Sequence, residues 1–99
     1  MIVAATTTDL MDRSRIGSSI PGVRFDLDAS AEVVIVDLAR GAAQVAEIRT
    51  AMPSARIVCY GPHVDEEAAN AARAAGADVV MPRSRFFRDP AAAIAPAER

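Results

Sequence analysis

Short unbroken apolar runs alternate along this chain with longer stretches in which apolar residues recur every three or four positions. The first kind reads as strands and the second as helices, and their alternation predicts a parallel sheet with crossover helices. Strands are expected at 2–6, 23–27, 32–38, 56–61 and 78–82. The run Glu32-Val33-Val34-Ile35-Val36-Asp37-Leu38 is the clearest of them. An almost continuous Val/Ile run this short suits a strand buried on both faces, and a carboxylate near its carboxyl end falls where open α/β sheets place their sites.

Between those runs, a first helix is expected over 9–20, with Leu10, Ile16 and Ile20 inward, Asp12, Arg13 and Arg15 outward, and Thr8 or Asp9 as its cap. Pro21-Gly22 ends it and turns the chain. A helix carrying Val45, Ile48 and Met52 is stopped by Pro53. The next spans 65–75, with Asp65, Glu66 and Glu67 at its amino end and Gly76 as a left-handed cap. Asp89-Pro90 opens a last short helix that Pro96 ends. Only Asp28, Ala29, Ser30 and Ala31 separate the second strand from the third, far fewer residues than a parallel crossover normally takes. The second crossover helix is therefore expected to be shortened or missing.

Ninety-nine residues make one domain, 1–99, with a single modest core and no room for a separate output module. The chain is 52% hydrophobic but only 4% aromatic, a composition of small side chains that suits closely packed α/β layers. Its net charge of −2 argues against a general nucleic-acid binder. The single cysteine, Cys59, excludes an intramolecular disulfide and a cysteine-rich metal site, and its place in an apolar strand makes it a core residue. The amino-terminal apolar stretch is too short for a signal peptide or a membrane span, so the protein is expected to be cytoplasmic.

With this element order, the chain resembles the receiver domain of bacterial response regulators. Val34-Ile35-Val36-Asp37-Leu38 is similar to the receiver strand that bears the phosphoacceptor aspartate. Val64-Asp65-Glu66-Glu67-Ala68 through Ala74-Ala75-Gly76-Ala77-Asp78 is similar to the family's fourth helix and its Gly-Ala-Asp exit. The resemblance implies a doubly wound, five-stranded parallel sheet of the flavodoxin-like order 2-1-3-4-5. It also implies a bacterial two-component signalling module that is not an enzyme. The family's chemistry uses an acidic pair after the first strand to hold Mg²⁺, a Ser/Thr ending the fourth strand and a Lys ending the fifth. Here Thr6-Thr7-Thr8 stands at the acidic pair, with Asp9 the nearest carboxylate. Gly61 stands at the Ser/Thr position, and Arg83-Ser84 stands where the family has Lys and usually proline. Asp37 alone is retained, and one carboxylate with threonine hydroxyls makes a poor site for a hard cation. No metal and no cofactor is expected.

Several residues therefore have two readings. Asp37 is either a phosphoacceptor, in an atypical receiver phosphorylated there, or a cap for the following turn or a partner of Arg83. Thr7, Thr8, His63 and Arg83 converge at the carboxyl edge of the sheet, where they could bind a phosphate, a carboxylate or a nucleotide. Alternatively the threonines cap the helix while the arginines are solvated or paired with Asp37 and Asp78. Arg85, Phe86, Phe87 and Arg88 fall beside the last helix. In receivers the face of the fourth helix, fifth strand and fifth helix is the usual partner or dimer surface, and an exposed phenylalanine among arginines is a hot-spot composition. The leading expectation is a pseudo-receiver that acts through a protein partner or a homodimer on that face.

Overall fold

The computed structural model describes residues 1–61 and 66–95. Four parallel strands, β1 (Val3–Ala5), β2 (Val33–Asp37), β3 (Arg56–Gly61) and β4 (Val79–Pro82), lie in the order β1-β2-β3-β4. The helices are α1 (Leu10–Ser19), α2 (Leu38–Gly41), α3 (Gln44–Ala51), α4 (Glu66–Ala75), α5 (Arg83–Phe86) and α6 (Pro90–Ala93).

The period-two alternation of the strands sends their side chains into two separate cores. Ala4, Val34, Val36, Ile57 and Cys59 meet Val45, Ile48, Met52 and Ala72 on the face covered by α3 and α4. Val3, Ala5, Val33, Ile35, Val58, Tyr60 and Met81 meet Ile16, Ile20, Phe86 and Ile94 on the opposite face, beneath α1, α5 and α6. The sheet is thus covered on both sides, which explains why β2 reads as a continuous apolar run.

Two expectations from the sequence need correction here. The sheet has four strands, not five, because the segment 23–27 contributes one isolated bridge in place of a strand. Arg24 accepts from the Ala5 N–H at 2.7 Å and donates to the Val3 carbonyl at 2.9 Å along the outer edge of β1. Pairing goes no further because Asp28 arrests the segment. Its carboxylate accepts from the Ser30 N–H at 2.8 Å and the Ser30 hydroxyl at 2.5 Å, and it pairs with Arg24. Those hydrogen bonds from Ser30, with Arg24 beside them, lower the Asp28 pKa to about 2. The turn they stabilise carries the chain directly to β2, so no helix lies between Arg24 and β2.

The second correction concerns α1. Leu10 is exposed, while Asp12 is buried beside Ile16. Asp9 does cap this helix, accepting the Asp12 N–H at 3.0 Å. Asp89 caps α6 in the same way through the Ala92 N–H at 3.2 Å, with Pro90 in the first turn. The expected helix start at Asp65 and the stop at Pro96 lie outside the described residues.

Candidate functional site

Parallel strands that end on one side bring Thr7, Asp37 and Arg83 to the carboxyl edge of the sheet, where α1 packs its buried Asp12. Arg83, the first residue of α5, reaches Asp12 with both arms of its guanidinium. Its Nη2 donates to Oδ1 at 2.7 Å and its Nη1 to Oδ2 at 3.0 Å. The Tyr60 hydroxyl also donates to Asp12 Oδ2, at 3.2 Å, and lies 3.0 Å from the Thr7 hydroxyl. An ionised carboxylate only accepts, so the order of protons is fixed: Thr7 donates to Tyr60, and Tyr60 donates to Asp12.

The charges follow from these contacts. The Arg83 hydrogen bonds hold the Asp12 carboxyl below its ordinary value, against the upward push of burial, and Asp12 in turn raises Arg83. Burial pushes the Tyr60 phenol upward despite the opposing Thr7 hydrogen bond, and the nearby Asp37 and Asp12 carboxylates push it the same way. Tyr60 therefore remains a neutral donor at physiological pH.

An aromatic cluster seats the cation. Phe86 stacks on Tyr60 with ring centroids 4.7 Å apart, and Phe87 meets both rings edge-on. The Arg83 guanidinium lies 4.9 Å from the Phe87 centroid and 5.7 Å from that of Tyr60, while Arg15 covers Phe87 at 4.6 Å. Tyr60 and Phe87 thus meet the arginines directly, and the buried Phe86 backs both rings.

Asp37 lies close by, and burial leaves it only 5% exposed. Its Oδ1 accepts the Ala39 N–H at 3.0 Å and so caps α2. Together with Asp9, Asp12, Arg15, Arg40 and Arg83 it lines a cleft of about 300 Å³. Most of the oxygen atoms at this cleft already have partners. Arg83 occupies both Asp12 oxygens, Asp37 caps a helix, and the Thr7 carbonyl accepts Arg13 Nε at 2.7 Å. Among the described residues no three His, Cys, Asp or Glu side chains are grouped so as to hold a metal ion.

Of the anion-binding candidates, Thr7 and Arg83 are drawn into one network, Thr8 is exposed outside it, and His63 lies outside the described residues. Of the interface candidates, Arg85 and Arg88 are exposed, Phe87 is half-buried, and Phe86 is core. Asp78 pairs with Arg49 at 2.7 Å, and Arg83 takes Asp12 as its partner. Asp12 and Tyr60 are the residues that reading the sequence missed. Asp12 stands four positions before Ile16, and that spacing already places the two on one helix face. Cys59 is fully buried, and burial pushes its thiol up to about 12, as befits a core residue.

No protein-family model and no curated protein matches this sequence, whereas solved structures do match the fold. A response regulator of Burkholderia pseudomallei, solved with a phosphorylated aspartic acid, a calcium ion and citrate, superposes with a TM-score of 0.75 at 17% identity. The match covers 95% of this chain and 65% of that one, so this chain spans somewhat under two thirds of that regulator's length. A response regulator of Thermotoga maritima gives a TM-score of 0.72 at 13% identity, covering 94% of this chain and 96% of that one. An orphan response regulator of H. pylori gives 0.71 at 15% identity, covering 96% and 97%. The fold is therefore that of response-regulator receiver domains, shared at low sequence identity. Among the described residues no helix is long and apolar enough to cross a membrane.

Proposed function

We propose that this chain is a degenerate receiver-like signalling module that works by binding a protein partner or a second copy of itself, without catalysis and without Mg²⁺-dependent phosphorylation. The observation that carries this reading is the two-armed Arg83–Asp12 pair. In a phosphorylation switch, a cation beside the acceptor must be free to meet the new negative charge. Here that cation is already matched, hydrogen-bonded and stacked on aromatic rings, and Gly61 has no hydroxyl to follow it inward. The resting structure thus resembles a latch that is closed without a phosphoryl group.

The surface we assign to the partner is the side built by α4, β4 and α6, with α5 and the residues just after it. Arg85 and Arg88 are exposed there, with Phe87 half-buried and Phe86 beneath. Arginines beside a partly exposed aromatic ring are the composition enriched where interfaces concentrate their energy. Native mass spectrometry of the purified protein, and of complexes recovered from its own cells, should find a dimer or a defined partner. Arg85→Glu should weaken that complex by about tenfold, while the circular dichroism spectrum stays unchanged. A protein that remains monomeric and partnerless at cellular concentration contradicts the reading.

A further inference from the structure

On the side of the sheet covered by α5 and α6, positive charge gathers that the surrounding residues leave unmatched. Val79 and Met81 of β4, with Ala92 and Ala93 of α6, form the apolar wall of a groove of about 350 Å³, and Arg56, Arg85, Arg88 and Asp89 form its remaining sides. Arg85 and Arg88 share one turn, which the Arg88 N–H closes by donating to the Arg85 carbonyl at 3.3 Å. Arg56 is anchored by one arm, its Nη2 donating to the Ala95 carbonyl at 3.4 Å.

Among the described residues none of these three guanidiniums has an ion-pair partner. Arg56 Nε is moreover buried without an acceptor, and a buried donor left unmatched costs stability unless something bound there accepts from it. Asp89 is the only carboxylate of the groove, and its Oδ1 is engaged in capping α6. The chain as a whole carries a net charge of −2, so three cations around one half-apolar recess are a local feature and not part of a basic surface. A cleft lined by one sign of charge concentrates ions of the other.

The chemistry of the walls narrows the ligand. Guanidiniums offer planar pairs of donors that match the oxygens of phosphate and carboxylate. Three of them suit a dianion better than a monoanion, and a phosphate monoester carries a charge of about −2 with three acceptor oxygens. The apolar wall leaves room for a hydrocarbon or aromatic body, as small-molecule sites commonly do. A peptide is less well served, because β4 ends at Pro82, which has no N–H to give to an added backbone. We propose that this groove binds a small phosphate monoester with an apolar body, its phosphoryl oxygens held by Arg56 Nε and the guanidiniums of Arg85 and Arg88. The groove lies on the face assigned above to a protein partner, but its ligand is a free small molecule and its occupancy is read on the isolated chain.

The test is an amide NMR titration of the full chain with phenyl phosphate, beside inorganic phosphate, benzoate and a short phosphotyrosine peptide. Phenyl phosphate should give saturable shifts at Arg56, Met81, Arg85, Arg88 and Ala92. Inorganic phosphate lacks the apolar body and benzoate lacks the second charge, so each should bind weaker by about tenfold or more. Arg85→Gln combined with Arg88→Gln changes two exposed side chains, and it should weaken phenyl phosphate by about tenfold or more while the circular dichroism spectrum stays unchanged. The proposal is overturned if the groove amides stay silent at millimolar phenyl phosphate, or if the double variant binds as well as the wild type. Equal binding of inorganic phosphate or benzoate also overturns it, the first marking an adventitious ion only. A phosphotyrosine peptide that binds tighter than phenyl phosphate by about tenfold or more overturns it too, since the ligand is then a partner protein. Should native mass spectrometry find a complex while the groove stays silent to phenyl phosphate, the anion site fails and the protein-binding reading stands.

Discussion

Arg83 makes contacts that a lysine at the same position could not. A lysine carries one compact charge, whereas the planar guanidinium spans both oxygens of Asp12 while its face lies over Phe87. Removing the acceptor should therefore be costly. We expect Asp12→Ala to leave the guanidinium and the Tyr60 hydroxyl unmatched and to lower stability by about 1–3 kcal/mol in urea denaturation, toward the lower end because water reaches Arg83. The same pair sets a pH dependence. Because the folded Asp12 pKa is depressed, its contribution is fully present above the ordinary carboxylate pKa, and it fades as pH falls from about 4 through the lower folded value. The wild-type midpoint should fall more steeply with acid below that point than the midpoint of Asp12→Asn. Asp12 was legible in principle, since positions 12, 16 and 20 share a helix face and position 10 does not. Hydropathy favoured Leu10, and only the distant Arg83 makes a buried carboxylate acceptable at position 12.

Elements were legible wherever local chemistry alone fixes them. The buried strands, the caps Asp9 and Asp89, and the Gly76 exit all follow from residues within a turn of the feature. The segment 23–27 was not legible as a bridge, because its apolar composition matches a strand while its pairing is cut short by the Asp28 turn. The exit of α4 carries the clearest element-level prediction. Gly76 has φ +124°, and a Cβ there would lie 2.7 Å from the Cβ of Arg49. Arg49 cannot move aside freely. Its guanidinium donates to the Gly76 carbonyl at 2.9 Å, to the Pro53 and Ala55 carbonyls at 2.8 Å each, and to Asp78 at 2.7 Å. That one side chain joins the end of α3, the start of β3 and the exit of α4. Gly76→Ala should cost about 1–3 kcal/mol, from backbone strain and the contact together, measured by chemical denaturation with an unchanged m-value.

At the scale of the whole molecule, the doubly covered sheet gathers Thr7, Asp37, Tyr60 and Arg83 where its strands end, and what they can do depends on which charges are already matched. Asp37 is buried at the end of β2 and caps α2, and the cation that shares its cleft, Arg83, is held by Asp12 on α1. Amide NMR of the full chain, before and after addition of Mg²⁺ with beryllofluoride or acetyl phosphate, tests this arrangement most directly. The expected result is no saturable shift at Asp37, Gly61 or Arg83 and no phosphoryl adduct by mass spectrometry. Saturable shifts at those amides, or a stable adduct on Asp37 that vanishes in Asp37→Asn, would contradict it and make phosphorylation the mechanism.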